Sequence, residues 1–244
     1  MRWDDPKLQE YFRSAQPVVI TGGCPFTRAL VGKWNFAHLR AHFGELEGGD
    51  GGGLMMHWAP RHERRFSRFY GERLGRGGCA REKSFARFAA AAEANEASAN
   101  PAYRFYAQAS MLWMSDGSTG LQGGGELRVP ARVSPAQRIK HAAVGATLVE
   151  EMRSLDWEWL ARALSATGNE GFHSATLWAG HGGGCTPMHY DAISNFFTQL
   201  HGQKQILLFP PGAWPNVYPY PTSHPMSSYA MVDVESPGPL TWID

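Results

Sequence analysis

Cysteine is scarce in this 244-residue sequence, and an excess of charge of either sign is missing. The three cysteines, Cys24, Cys79 and Cys185, are far apart and form no Cys-x-x-Cys pair, which argues against a disulfide framework or a thiolate zinc site. The 23 basic and 22 acidic side chains leave a formal net charge of +1, so the composition carries no footprint of nucleic-acid binding. A small molecule or a protein is the expected partner.

Long hydrophobic runs are missing as well. No run approaches the roughly 18 apolar residues that a membrane-spanning helix needs, and the opening "MRWDDPKLQEYF" has no apolar signal-peptide core. These absences predict a soluble intracellular protein of a reducing compartment, cytoplasmic or nuclear, with no membrane partner.

Hydrophobic residues are nevertheless plentiful, at 43% of the chain, and they suffice for a sizeable core. Helical and strand patterns alternate irregularly over residues 1–170, whereas short apolar strands with glycine and proline turns follow over 171–244. We expect one structural domain, in which the first range packs on a β core begun by the second. This order favours a helix-decorated jelly roll over a doubly wound sheet.

Local patterns predict individual elements. A strand is expected at "QPVVITGG", Gln16–Gly23, and another from Tyr103. Helices are expected after the capping residues Asn35, with Gly44 as the stop, and Ser84. A third helix is expected within 154–168, with an apolar face of Trp157, Leu160, Ala161 and Leu164. Glycine-rich stretches at 45–53 and 75–78 predict loops.

The most informative stretch is "TPMHYDAISNFFTQLHGQKQILLFPP", Thr186 to Pro211. His189 and Asp191 are separated by one residue, so on an extended segment both side chains point to the same face. An imidazole nitrogen and a carboxylate oxygen on one face are two of the three ligands of a 2-His-1-carboxylate Fe(II) site. A His-x-Asp pair is common, however, and the alternative is a surface histidine beside a turn aspartate.

The residues after this pair add a candidate anchor for an anion. The segment "NFFTQLH" predicts a strand in which one face carries Asn195, Phe197, Gln199 and His201, and the other Phe196, Thr198 and Leu200. A two-residue turn around Gly202 places Lys204 on the Asn195 face, whereas a three-residue turn reverses it. A lysine within the apolar series "KQILLF" is costly unless paired, so a dicarboxylate partner is expected. The alternative is a strand-end lysine that reaches to water.

These residues resemble the JmjC and cupin-like Fe(II)- and 2-oxoglutarate-dependent oxygenases, and among them the asparaginyl hydroxylase that acts on hypoxia-inducible factor and on ankyrin repeats. The similarity is strong over Ser174–Val234 and continues, more weakly and in order, from about Pro17 through "PVVIT", "KWNFAHLRAHFG" and "RFYAQ". The resemblance implies a double-stranded β-helix (jelly roll), with Fe(II), 2-oxoglutarate and O2 as cofactor and co-substrates. It also implies hydroxylation of a protein side chain, with an ankyrin-repeat-like protein as the partner.

The resemblance further assigns roles to single residues. His189 and Asp191 become iron ligands, and Asn195 lies near the metal-bound end of the co-substrate. The distal carboxylate of 2-oxoglutarate is held by Tyr106, Thr186 and Lys204. Substrate contacts are implied at Gln108, Ser228 and Tyr229. Ser228-Tyr229 stands where the asparaginyl hydroxylase has an Arg-Gln pair, so asparagine as the target does not follow.

One departure concerns the third iron ligand. Family members supply a second histidine from a strand well beyond the "YPYP" segment, and here no histidine follows His224, which comes three residues after "YPYP". The last strands of the jelly roll and the family's dimerisation helices are likewise expected to be missing. Two ligands hold iron weakly, so this chain is expected to be inactive or severely impaired.

Three explanations are open for that departure. A C-terminally truncated fragment of a full oxygenase is favoured. The alternatives are a short protein that keeps only a binding role, as a non-catalytic JmjC-like module, and a metal shell completed by another histidine, of which His224 is the nearest. A JmjC-type lysine demethylase is the alternative activity with the same iron chemistry.

Overall fold

The computed structural model describes residues 1–14, 16–43, 54–61, 78–82, 84–115, 126–127, 138–141, 144–167, 174–191, 194–224 and 226–232. The strands are β1 (Leu54–Pro60), β2 (Gly78–Glu82), β3 (Tyr103–Ser115), β4 (Glu126–Leu127), β5 (Arg138–His141) and β6 (Ser174–Gly180). The helices are α1 (Leu8–Arg13), α2 (Phe36–His42), α3 (Phe85–Glu96), α4 (Ala146–Arg153) and α5 (Trp157–Ala166), and a 3-10 helix follows at Pro211–Val217. The predicted glycine loop at 45–53 and residues 75–77 of the one at 75–78 lie outside these ranges, whereas Gly78, also predicted as loop, is the first residue of β2.

The six strands form one antiparallel sheet around β3. Its order is β2-β1-β3-β5-β4, and β6 pairs with the opposite edge of β3. The strand predicted from Tyr103 is therefore confirmed, and it is the longest in the described chain. Because β6 belongs to residues 171–244, the second range of the chain contributes directly to the sheet of the first.

One face of β3 is buried. Ala107 and Ala109 have almost no exposed surface, and they lie opposite Ala179 of β6 and Leu54 of β1, respectively. Helices α2, α3 and α4 cover this face through a cluster of aromatic and aliphatic side chains. Small alanines in the strand leave room for the large residues of the helices, so the core of the molecule lies here.

The other face of β3 carries polar and aromatic groups. Tyr106 and Gln108 alternate with the buried alanines and so point the opposite way. Gln108 lies opposite Trp178 of β6, which is 44% exposed. His57 of β1 lies opposite Tyr106 and is buried, which lowers the pKa of its imidazole.

The helix starts follow local capping. Asn35 accepts a hydrogen bond from the backbone N–H of His38 at 2.9 Å, and Ser84 accepts one from Arg87 at 3.1 Å, as predicted. Helix α2 ends at His42, so Gly44, the expected stop, lies outside the described residues. Helices α1 and α4 are not predicted by the patterns above, since their N-cap residues, Lys7 and Gly145, provide no side-chain cap.

Helix α5 lies within the predicted range but turns a different face inward. Its buried residues are Trp157, Trp159, Leu160 and Ala163, whereas Ala161 and Leu164, expected on the apolar face, are only partly buried. The helix packs on two clusters at once, the main core and a smaller one formed with α1. A helix held on two sides has a wider buried surface than a single amphipathic stripe.

A buried carboxylate joins α4 to the start of α2. Glu151 accepts hydrogen bonds from the indole N–H of Trp34 at 2.6 Å and from His38 Nε2 at 3.0 Å, and Lys33 Nζ lies 2.7 Å away. Burial raises the pKa of the Glu151 carboxyl, but the hydrogen bonds from Lys33, His38 and Trp34 outweigh burial and leave the pKa below its ordinary value. The ionised form is therefore part of the folded structure.

Two strand predictions are wrong. The segment 16–20 is extended without a ladder, and only Thr21 forms a bridge, with Arg2. After β6, the described residues form isolated bridges and the 3-10 helix instead of the expected series of short strands. The reason is the same in both places, because a β-branched or apolar segment becomes a strand only where a neighbouring strand pairs with it.

No helix in the described residues is long and apolar enough to cross a membrane.

Candidate metal centre

The predicted metal ligands lie side by side after β6. His189 and Asp191 are on an extended segment, and His189 Nε2 is 3.8 Å from Asp191 Oδ1. One intervening residue thus brings an imidazole nitrogen and a carboxylate oxygen to one side of the chain, as period-2 geometry predicts. Both side chains are open to solvent on this side, with 32% and 56% of their surfaces exposed, so a cation can reach them.

The outer atoms of both ligands are tied to neighbouring groups. His189 Nδ1 lies 2.8 Å from the carbonyl oxygen of Pro187. A carbonyl oxygen only accepts, so Nδ1 is the donor in this contact, and in the neutral imidazole the lone pair is then on Nε2. Asn195 Nδ2 donates to Asp191 Oδ2 at 2.8 Å, which leaves Oδ1 facing the imidazole. Partners of this kind orient metal ligands and fix their protonation.

Asn195 therefore contacts the metal-ligand carboxylate directly. The resemblance implied a position near the metal-bound end of the co-substrate, and a hydrogen bond to Asp191 is compatible with that position. The arrangement of His189 and Asp191 fits a pair of metal ligands, and it also fits a surface histidine beside an aspartate, so the metal-ligand assignment stays a prediction.

The segment around Tyr229 packs against His189. His189 and Tyr229 form an antiparallel bridge, and their rings stack with centroids 5.0 Å apart at 24°. The backbone N–H of Tyr190 donates to the carbonyl of Ser228 at 3.0 Å. Ser228 and Tyr229, predicted to contact substrate, thus lie beside His189, the predicted metal ligand. Local spacing carries no signal for this contact, because the two segments are far apart along the chain.

A third protein ligand is not found where the structure is described. No cluster of three or more His, Cys, Asp or Glu side chains suited to a metal occurs in those residues. His224, the nearest alternative ligand, is held in its own turn, where its Nδ1 accepts from the backbone N–H of Met226 at 3.0 Å and its ring stacks on Tyr220. His189 and Asp191 fit Fe(II) as two of three ligands, since imidazole and carboxylate are donors that Fe(II) takes.

The segment before Lys204 shows the predicted alternation without the predicted ladder. Phe196, Thr198 and Leu200 face inward and are half-buried, whereas Asn195, Phe197, Gln199 and His201 are exposed. Phe196 packs edge-on against Phe12 of α1 and Trp159 of α5. This inward anchoring fixes which face of the segment carries Asn195.

Lys204 lies on the Asn195 face, as a two-residue turn predicts. Its Nζ is 4.6 Å from the ring centroid of Phe197, a residue of that face. Desolvation lowers the pKa of the Lys204 ammonium, and its electrostatic interaction with Cys185 opposes the shift. Among the described residues no carboxylate forms an ion pair with Lys204, so its cation is available to an anionic ligand.

Thr186 and Tyr106 are the two other predicted anchors of the co-substrate carboxylate. Thr186 follows Cys185, the residue that interacts with Lys204, and is exposed. Tyr106 stacks on Trp178, with ring centroids 5.5 Å apart, and lies opposite Gly180 in β6. A Cβ at Gly180 would lie 2.8 Å from the Tyr106 ring, so the close approach of this tyrosine requires glycine there.

Gln108, the remaining predicted substrate contact, shares the Tyr106 face of β3. It is half-buried between β1 and β6, opposite Trp178. The described side chains place Tyr106 and Gln108 on the polar face of the sheet and the His189–Asp191 pair on the segment that leaves it.

Comparison with known proteins identifies the fold family. A family model described as a Cupin-like domain matches residues 5–239. The chain belongs to the Cupin-like domain family. As a Cupin-like domain with an antiparallel sheet carrying helices, it has the predicted mainly β, jelly-roll architecture with helical decoration.

Curated relatives carry JmjC domains. JmjC domain-containing protein D of Dictyostelium discoideum is 45% identical over 60 residues, which are 25% of this chain and 13% of that protein. Lysine-specific demethylase 8 of Danio rerio is 34% identical over 70 residues, 29% of this chain and 17% of that protein. The matches thus span less than a fifth of these relatives. They confirm the JmjC and cupin-like relationship, and the narrower likeness to the asparaginyl hydroxylase stays a prediction.

Proposed function

We propose that this Cupin-like domain carries the Fe(II) and 2-oxoglutarate site of a dioxygenase that hydroxylates a protein side chain. The observation that supports the proposal is the His189–Asp191 pair. His189 Nε2 and Asp191 Oδ1 are 3.8 Å apart, while His189 Nδ1 and Asp191 Oδ2 are each hydrogen-bonded to a neighbouring group. JmjC domain proteins are typically 2-oxoglutarate-dependent oxygenases, which fits such a pair.

The residues of the site would bind the metal and the co-substrate separately. His189 Nε2 and Asp191 Oδ1 would hold Fe(II), and Lys204 would pair with the distal carboxylate of 2-oxoglutarate, with Thr186 and Tyr106 as hydroxyl donors. Asn195 would keep Asp191 turned towards the metal. When bound, Fe(II) and 2-oxoglutarate supply the oxidation by O2, in which the co-substrate becomes succinate and CO2.

The identity of the substrate rests on resemblance alone. A protein side chain, on an ankyrin-repeat-like partner, is the proposed class, and Gln108, Ser228 and Tyr229 are the proposed contacts. Ser228-Tyr229 in place of an Arg-Gln pair argues for a target other than the one the asparaginyl hydroxylase takes.

Succinate release from 2-oxoglutarate, with Fe(II) and O2, tests the proposal. Slow release is expected from the wild-type chain, because the described residues supply two metal ligands. His189→Ala should abolish it, whereas His201→Ala, an exposed histidine outside the pair, should not. Release that is equal in wild type and His189→Ala would sink the enzyme proposal and favour a non-catalytic binding module.

The type of product separates two oxygenase activities. Hydroxylation of an asparaginyl or aspartyl side chain leaves the oxygen on the peptide, whereas hydroxylation of an N-methyl lysine releases formaldehyde. Offering both peptide types and measuring peptide mass and formaldehyde together decides between a side-chain hydroxylase and a lysine demethylase.

A further inference from the structure

Tyr229 is placed where it can control the orientation of a metal ligand. The backbone N–H of Tyr190 donates to Ser228 O at 3.0 Å, and that of Ala230 donates to Met188 O at 2.9 Å. These two bonds flank His189 and Tyr229, which makes them a non-hydrogen-bonded pair of an antiparallel bridge. In such a pair the side chains of opposite residues stand closest together, so the backbone itself brings the two rings into contact.

The backbone of Tyr229 is also held from its other side. Its carbonyl accepts from the backbone N–H of Tyr220 at 3.1 Å, and Met231 N–H donates to Tyr218 O at 2.9 Å. The residue is therefore the middle of a short three-stranded arrangement, with the metal-ligand segment on one edge. A ring fixed on both sides of its backbone loses little further freedom when it holds a neighbour in place.

Two contacts at right angles define the orientation of the imidazole. The Nδ1–H to Pro187 O hydrogen bond acts in the plane of the His189 ring, and the Tyr229 ring covers one face of it. Either contact alone leaves one rotation open, since a single hydrogen bond permits tilting and a stack permits rotation in the plane. Together they direct Nε2 towards Asp191 Oδ1.

We infer that Tyr229 is a positioning residue for the metal ligand His189, a role that rests on the proposed metal site. The ring acts by stacking, so the hydroxyl group is not required. The resemblance implied a substrate contact for Tyr229. The positioning role is a different one, because the Tyr229 ring contacts the imidazole of His189 directly.

The chain offers a matched control within the same segment. Tyr220 stacks on His224 with centroids 4.6 Å apart at 15°, which is the same type of pair in the same arrangement. His224 is not part of the metal pair. Replacing Tyr220 thus removes an equivalent stack without touching His189 or Asp191.

Metal affinity and a ring-current shift test the inference together. Co(II) binding is measured by calorimetry on the untagged chain, and the His189 imidazole protons are followed by NMR without metal. Tyr229→Phe should keep the wild-type affinity and shift, whereas Tyr229→Leu should weaken Co(II) binding about tenfold, the lower end for a lost ligand-orienting partner. Tyr229→Leu should also move the His189 resonances downfield, and Tyr220→Leu should change neither quantity.

The outcomes separate this role from the proposed function. Wild-type Co(II) affinity in Tyr229→Leu, with the ring-current shift lost, would overturn the positioning role and leave the metal site standing. Equal loss of affinity in Tyr229→Phe and Tyr229→Leu would also overturn it, because a stack does not depend on the hydroxyl. Absence of any His189-dependent Co(II) binding by the wild-type chain would overturn the proposed function and this role with it.

Discussion

The packed region, the described residues of 1–180, and the site region, those of 181–232, are built from similarly apolar sequence but differ in burial. The packed region supplies almost all of the buried core, and in the site region only Val217 and Ala230 are buried hydrophobic residues. The consecutive residues Ile206, Leu207, Leu208 and Phe209 are 51%, 56%, 67% and 44% exposed. Apolar character alone therefore does not bury a segment of this chain.

Backbone pairing explains the difference. In the packed region the inward-facing residues Ala107 and Ala109 of β3 each lie between a residue of β1 and a residue of β6. Among the described residues, no backbone hydrogen bond joins residues 203–209 to another part of the chain. Without a neighbouring strand on which to pack, an extended apolar segment stays in solvent. We expect the stability of the fold to come from the packed region and the chemistry from the site region.

The same substitution in both regions tests this contrast most strongly. Leu148 of α4 is fully buried, whereas Leu208 is 67% exposed. Leu148→Ala should lower the free energy of unfolding by about 2 to 5 kcal/mol, because it removes buried methyl groups and leaves a cavity. Leu208→Ala should change it by less than about 0.5 kcal/mol. Urea denaturation of the two variants measures both values, and similar losses would show that residues 203–209 are packed in solution.

Acid should weaken the packed region through two of its groups. The pKa values of the Glu151 carboxyl and the His57 imidazole are both lowered in the folded protein. At falling pH the unfolded chain therefore binds protons before the folded chain does, and stability decreases. The loss of stability due to His57 begins below its ordinary pKa of about 6.5, and the loss due to Glu151 begins below its ordinary pKa of about 4.5.

Urea midpoints from pH 7.5 to 3.5 measure this acid dependence. His57→Gln should flatten the decrease between pH 7 and 5, and Glu151→Gln should flatten it at lower pH. Glu151→Gln should also reduce stability near neutral pH, since the buried indole N–H of Trp34 loses a charged acceptor. Glu150→Gln is the control, because Glu150 is exposed and, among the described residues, pairs with Arg153 of the same helix. A wild-type midpoint that rises on acidification would contradict the assignment.

Local features of the packed region could be predicted and its long-range pairing could not. Asn35 and Ser84 mark helix starts because an N-cap acts on the next three residues only. Gln16–Gly23 has the β-branched composition of a strand, but its state depends on a partner that composition does not reveal. β1 and β2 were missed for a related reason, since their pairing with each other and with β3 is non-local.

The site region shows the same boundary between local and distant information. The common side of His189 and Asp191, and the face that carries Lys204, follow from spacing within one segment. The stack of Tyr229 on His189 joins two distant segments, so periodicity gives no signal for it. Trp178 lies opposite Gln108 on the open face, and this pairing of β3 with β6 is likewise non-local, so composition does not reveal it.

The smallest expected effect on stability belongs to Lys204, and its effect on binding is the sharpest test of the contrast. Lys204→Met should change the free energy of unfolding by less than about 0.5 kcal/mol, because the residue is exposed. Affinity for 2-oxoglutarate, measured by calorimetry with Mn(II) present, should fall about 10- to 150-fold, as expected for one lost charge-assisted interaction. Lys7→Met, at an exposed lysine beside α1, should alter neither value. A fall in stability with unchanged 2-oxoglutarate affinity would instead make Lys204 a structural residue, whose ammonium stabilises the fold through its contact with the Phe197 ring. The site region would then contribute to the stability of the fold, as the packed region does.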